Sequence, residues 1–211
     1  MLVFPGFEPL DVFGPIEALQ MLSQSHKVDL YMIASTLDPV STAVPEEHNT
    51  TSSNIGVHVV PTYTFDTVPD DLEVLLVPGG IGTRTGNYPA LAQFIKEIYP
   101  KLKYLITVCT GSALAADAGV LDGKRATSNK ARFKATSARG PNVQWVKTAR
   151  YVVDGNCWTS AGVSAGIDVT LAWIASVYGT EVARGAANRM EYEWKDDRSW
   201  DPFSYVFGEG V

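Results

Sequence analysis

Three apolar runs rich in β-branched and aromatic residues stand out along the first half of the chain, at Lys27 to Ser35, Glu73 to Val77 and Tyr104 to Val108, each bounded by turn-forming residues. Short runs of this kind predict buried strands. Helical periodicity fills several of the gaps, most clearly from Pro89 to Tyr99. That alternation predicts a mostly parallel sheet with helices on both faces, an α/β fold. Met1 to Phe4 reads as a short first strand, and Leu10 to Leu19 as a turn leading into a first helix. Gly14-Pro15 places the start of that helix at Pro15, because proline suits a first helical position.

Later segments extend the pattern. Thr36 to Gly56 is polar and carries Pro39 and Pro45, so it predicts a long surface excursion. From Ser164 to Tyr178 apolar residues occupy nearly every side, the pattern of a helix buried in the core or at a subunit contact. Glu191 to Trp200 mixes aromatic and charged residues and reads as a tail whose Trp194 and Trp200 pack on the domain or on a second subunit. Neither an internal repeat nor a Gly- or Ser-rich linker divides the chain, so its 211 residues are expected to form one domain, 1–211.

Composition narrows the function classes. An apolar share of 45% supports a sizeable core, and a net charge of −6 without a cluster of Lys or Arg argues against nucleic acid or an anionic membrane as partner. The apolar runs fall short of the roughly 18 residues that span a bilayer, and the N-terminus does not read as a signal peptide. Two cysteines, Cys109 and Cys157, make neither a disulfide framework nor a metal set, so a cytoplasmic, reducing setting is expected and no metal or cofactor. The sequon Asn49-Thr50-Thr51 reads as chance on that route.

The chemistry centres on Cys109. Tyr104 to Leu114 changes from strand-like to helix-like at this residue, with small residues following as a tight turn requires. Such an elbow presents the side chain at the carboxyl end of a strand, where open α/β folds place ligands. Unpaired N–H groups of the helix would favour thiolate there. The alternative is a small buried hydrophobe, which is also how Cys157 reads on its strand. A second glycine turn, Val77-Pro78-Gly79-Gly80, could offer N–H groups to developing negative charge. Asp11, at a third strand end, could exchange a proton with the sulfur or substrate, or could serve as a turn or capping residue. The three histidines, His26, His48 and His58, all lie in the first third of the chain and read as structural or solvated.

Taken together, Leu10-Asp11-Val12-Phe13-Gly14-Pro15, Val77-Pro78-Gly79-Gly80, Val108-Cys109-Thr110-Gly111-Ser112, Gly123-Lys124-Arg125-Ala126-Thr127 and Ala165-Gly166-Ile167-Asp168 resemble the DJ-1/PfpI superfamily, and within it the isocyanide hydratase-like branch. The resemblance covers nearly the whole chain, in order. It implies a flavodoxin-like three-layer sandwich, a homodimer and a nucleophile elbow at Cys109 with Asp11 as its acidic partner. It further implies hydration of a small isocyanide, with Gly79, Gly80 and Thr110 binding substrate or charge and no cofactor. A glyoxalase-like or deglycase-like activity on small aldehydes and a non-catalytic cysteine redox sensor are the competing readings. Many relatives carry a histidine where this chain has Asn129, so a role for an imidazole there is absent, and relatives usually carry further residues ahead of the first strand.

Overall fold

The uniform apolar runs become the middle of a sheet. The computed structural model describes residues 1–85 and 89–207. In chain order the helices are α1 (Pro9–Ser23), α2 (Gly82–Thr85), α3 (Pro89–Ile98), α4 (Gly111–Asp117), α5 (Phe133–Arg139), α6 (Ala165–Tyr178), α7 (Thr180–Arg189) and α8 (Phe203–Val206). The strands are β1 (Ile33–Ala34), β2 (Val40–Ser41), β3 (His58–Val59), β4 (Tyr63–Thr64), β5 (Val74–Val77), β6 (Tyr104–Thr107), β7 (Arg125–Ala126), β8 (Gln144–Trp145), β9 (Tyr151–Asp154) and β10 (Cys157–Ser160).

Strands β5, β6 and β10 lie side by side in parallel, and β9 joins β10 antiparallel. On the other side of β5, Leu2 N–H donates to Leu76 O and Val3 N–H to Ile33 O, each at 2.9 Å, so Met1 to Val3 lies between β5 and β1. β1 in turn pairs with β4 in parallel. Helices α1, α6 and α7 pack together on one face, with α6 against β6 and β10, while α3, α4 and α5 pack on the other, with α4 against β5 and β6. This is the flavodoxin-like sandwich that the alternation and the resemblance predict. Leu75, Leu105 and Ile106 are fully buried between the helical layers. Each such side chain contributes roughly 1.5–3 kcal/mol.

Three local expectations need correction. Helix α1 begins at Pro9 and not at Pro15, which lies inside it. Pro9 takes the first-turn position, and the burial of Val12, Gly14 and Pro15 keeps the turn ahead of Pro15 helical. Gly14 permits close packing on α6, because a Cβ there would fall 2.8 Å from Ile167. The Lys27 to Ser35 run is regular strand only at β1, since its pairing begins at Tyr31, whose carbonyl accepts from the Met1 ammonium at 2.7 Å. Within the Thr36 to Gly56 excursion, β2 pairs antiparallel with β3.

The tail after α7 returns across the sheet edge and is held by buried charge. Arg150 donates to Asp168 Oδ2 from Nε at 2.9 Å and from Nη2 at 2.7 Å. The other oxygen of Asp168 accepts Tyr192 O–H and Lys195 N–H, both at 3.0 Å. Trp194 donates to the Asp168 carbonyl and packs against the core, whereas Trp200 is 54% exposed. Lys130 Nζ donates to Thr127 Oγ1 and Ala149 O and lies 3.9 Å from Asp201 Oδ2, with both side chains buried.

Candidate active site

The elbow forms as the spacing predicts, and its backbone is bound on both sides. β6 ends at Thr107, α4 starts at Gly111, and Cys109 between them has φ +57°, a left-handed conformation of order 1–3 kcal/mol above the ordinary regions for a residue with a side chain. Its N–H donates to Ala161 O at 2.9 Å, and its carbonyl accepts from Ser112 Oγ at 3.1 Å and Ser128 Oγ at 3.0 Å. The surrounding bonds thus over-determine a conformation that the isolated chain would avoid.

Three donors converge on the Cys109 sulfur. Asn129 Nδ2 lies 3.2 Å from Sγ, and the backbone N–H groups of Thr110 and Val163 also hydrogen-bond it. Cys109 retains 5% of its surface exposed, so the thiol is buried. Burial, and then the charge of Asp11, push this thiol up to about 12 against the pull of the three donors. Here the structure corrects the sequence argument. The N–H groups at the elbow do favour thiolate, but desolvation, which local sequence does not reveal, outweighs them.

Asp11 sits in the first turn of α1, fully buried, and its carboxyl interacts directly with Cys109. Oδ2 accepts Gly79 N–H at 2.8 Å, and Glu8 N–H donates back to Gly79 O at 2.9 Å, which ties α1 to the turn after β5. Oδ1 is buried without a hydrogen bond of ordinary geometry among the described residues. Burial pushes the carboxyl up to about 8, with the Glu8 charge adding to it and the Gly79 N–H opposing it. Asp11 is therefore mostly a carboxylic acid at neutral pH, able to hand over a proton and take one back.

The glycine turn has a different role from the one its sequence predicts. Gly79 N–H is engaged by Asp11, and Gly80 N–H donates to Thr110 Oγ1 at 3.2 Å, so both donors hold the site together. A Cβ on Gly79 would fall 2.6 Å from both N and Oγ1 of Thr110 and 3.0 Å from Asp11 Oδ2. Gly80, at φ +131°, presses against the backbone of Gly6 and Phe7. The hydroxyls of Thr83 and Thr110 lie 2.8 Å apart and extend this network into α2. Asp11, Gly79, Gly80, Cys109 and Thr110 thus share one site. The residue that sequence reasoning missed as a participant is Asn129, which follows β7 and reaches the sulfur only through the tertiary fold. Cys157 is buried beside Tyr99 O–H, which lies 3.2 Å from its sulfur, away from this site. Among the described residues no group of three His, Cys, Asp or Glu could hold a metal ion, and no helix is long and apolar enough to cross a membrane.

The sequence pattern of the DJ-1/PfpI family matches residues 1–176. The chain belongs to this family. Isonitrile hydratase of Pseudomonas putida is 33% identical over 193 residues, covering 90% of this chain and 76% of that protein. The transcriptional regulator CdhR of Pseudomonas aeruginosa is 29% identical over 86% of this chain, which spans about half of that protein, 51%. A deglycase of Pyrococcus horikoshii is 32% identical over 121 residues, 56% of this chain and 70% of that protein. Among solved structures, a ThiJ/PfpI family protein from Pseudomonas syringae superposes with a TM-score of 0.77 at 34% identity, over 92% of this chain and 74% of that one.

Proposed function

We propose that this DJ-1/PfpI protein is an enzyme that adds water to a small isocyanide, giving an N-substituted formamide through a thioimidate on Cys109. The observation that carries the reading is a buried carboxyl and a buried thiol gathered at one site, where Asp11 accepts Gly79 N–H at 2.8 Å and Asn129 Nδ2 lies 3.2 Å from the Cys109 sulfur. An isocyanide carbon must gain both a nucleophile and a proton at the same atom. A protonated Asp11 delivers its proton to that carbon as Cys109 sulfur bonds to it, and the thiol proton passes to the carboxylate. Thr110, Val163 and Asn129 steady the negative charge that builds on sulfur during the exchange.

In the second half, water adds to the thioimidate carbon as its nitrogen takes up a proton. The C–S bond then breaks, the carbonyl forms, and Asp11 returns a proton to the sulfur. Gly79 and Gly80 act by holding Asp11 and Thr110 in place. The 33% identity with an isonitrile hydratase over most of the chain supports the same reading. We extend it to a homodimer, with the exposed Leu10 and Phe13 of α1 beside Asp11 as the surface to be covered; sedimentation tests this.

Incubation with an alkyl or aryl isocyanide should release formamide and, on rapid quenching, leave an adduct of the substrate's mass on Cys109. Cys109→Ala should abolish both. Turnover retained in that variant would refute the covalent route. The deglycase relative favours a second reading, turnover of small aldehydes by the same thiol and acid, and methylglyoxal as substrate separates the two. A redox sensor needs an exposed thiol of low pKa, opposite to the direction in which burial moves Cys109.

A further inference from the structure

Besides Asp11, the charged side chains buried among the described residues are Lys130, Arg150, Asp168 and Asp201. Taking such groups out of water is costly unless each is paired and hydrogen-bonded. Arg150 and Asp168 pair with each other and tie down the tail, whereas Lys130 directs its donors toward the segment beside the thiol. Its Nζ donates to Ala149 O at 2.7 Å, to Thr127 Oγ1 at 2.8 Å and to Ser128 O at 3.3 Å. Three N–H groups thus meet three oxygens, which uses the full donor capacity of an ammonium. Asp201 Oδ2, 3.9 Å away, supplies the opposite charge. The carboxylate is itself placed by Asp201 N–H donating to Thr148 O at 2.9 Å and by Phe203 N–H donating to Oδ1 at 3.0 Å.

The segment braced in this way touches the elbow twice. Ser128 Oγ donates to the Cys109 carbonyl at 3.0 Å, and Asn129 Nδ2 lies 3.2 Å from the sulfur. Thr127 N–H anchors the start of the segment on β10 through Thr159 Oγ1 at 2.8 Å. The Asn129 side chain is hemmed in, since a Cβ on Gly162 would fall 2.8 Å from Nδ2, and Oδ1 accepts Arg132 N–H at 3.1 Å. The peptide unit that leads into Asn129 carries the Ser128 carbonyl held by Lys130, so rotation of that unit would swing the amide off the sulfur.

We propose that Lys130 is a positioning residue for Cys109: its ammonium fixes the backbone of Thr127 to Asn129 so that the Asn129 amide meets the sulfur and stabilises its negative charge. The proposal rests on the reading of Cys109 as the reacting group and deepens it. Lys130 acts through Asn129, because its own bonds go to Thr127, Ser128 and Ala149.

Alkylation by iodoacetamide, which joins carbon to the thiolate with loss of iodide, reads the sulfur without requiring turnover, and peptide mass spectrometry follows Cys109 separately from Cys157. Positioning and mere stabilisation predict opposite signs. Loss of the donor disfavours thiolate and slows Cys109 alone, whereas a loosened fold exposes both buried cysteines and speeds both. Asn129→Ala should slow alkylation of Cys109 about tenfold or more. Lys130→Met should slow it about three- to tenfold in the natural protein and less than about twofold where Asn129 is already alanine, because no amide is then left to place. Thr127→Val removes one of the lysine's acceptors with little change of shape. It should act in the same direction and lose its effect in the same background, and it carries the test if Lys130→Met does not fold. Alkylation at Cys109 that is unaltered or faster in these variants, or slowed equally in both backgrounds, overturns the positioning role and leaves the thiol and acid standing. The expected coupling without release of formamide upholds the positioning and overturns the hydration. A Cys109 inert to iodoacetamide and to isocyanide overturns both.

Discussion

Asp11→Asn exchanges a buried carboxyl for an amide of nearly the same shape. The amide oxygen can still accept Gly79 N–H, the 2.8 Å bond that joins α1 to the turn after β5. What disappears is a titration. In the fold the carboxyl is held at about 8, whereas in the unfolded chain it ionises near 3.9. The folded pKa is the higher one, so the group's contribution to stability is full below about pH 4 and is lost progressively as pH rises to about 8. Between those limits stability falls with each pH unit, by roughly 3 kcal/mol in all from pH 5 to pH 7. The asparagine variant has no such slope. Its stability relative to the natural protein should therefore rise by that amount across the interval, while every other titrating group cancels in the difference. Urea unfolding at pH 5, 6 and 7 measures it, and with a slope of about 2–3 kcal/mol per M the midpoints should move apart by about 1 M. Curves whose separation is independent of pH, or a natural protein that gains on the variant as pH rises, would refute the protonated buried acid. The same variant should lose formamide production, because an amide cannot deliver the proton: stability and activity change in opposite directions at one residue.

Other consequences follow from the same geometry. The rate of formamide production should fall as pH rises through about 8, where Asp11 loses its proton and its charge holds the Cys109 thiol still more firmly protonated; a rate that climbs steadily to pH 10 would contradict this. Asn129→Asp keeps the oxygen that caps the Lys130–Arg132 turn but removes the donor to sulfur and adds negative charge, so kcat should fall roughly 10- to 100-fold with an unchanged circular dichroism spectrum. Lys130→Met removes the cation beside Asp201 Oδ2 together with its bonds to Thr127 and Ala149 and leaves Arg150, 4.0 Å from Asp201 Oδ1, as the remaining charged partner, so it should cost about 1–3 kcal/mol in calorimetric unfolding, with Lys130→Met/Asp201→Asn recovering part of the loss.

Much of the fold was legible in one dimension. The runs around Val74–Val77 and Tyr104–Thr107 are strands, and the all-round apolar segment is the buried helix Ala165–Tyr178, because uniform burial writes an uninterrupted apolar pattern. The start of α1 was misplaced because Pro15 satisfies the local rule for a first helical turn as well as Pro9 does. Packing of Gly14 against Ile167 decides between them, and it is invisible locally. In the tail, the aromatic character of Trp194 was readable, but the buried Arg150–Asp168 pair and the Lys130–Asp201 contact were not. Charged residues announce exposure by default, and only the partner's arrival makes them interior.

The sequence by itself determined which groups are chemically available: a thiol at a strand-to-helix turn, a carboxyl just ahead of Gly14-Pro15, and a glycine turn between them in the chain. Local steric preference and hydrophobic period act over a few residues, so they are readable from neighbours in the chain. Tertiary structure alone decided the protonation states and the donors. Asp11, Gly79, Cys109, Asn129 and Val163 come from distant stretches that meet only when the sheet closes, and desolvation depends on everything packed around them. That is why the thiol expected to be ionised is instead held protonated beside a protonated acid.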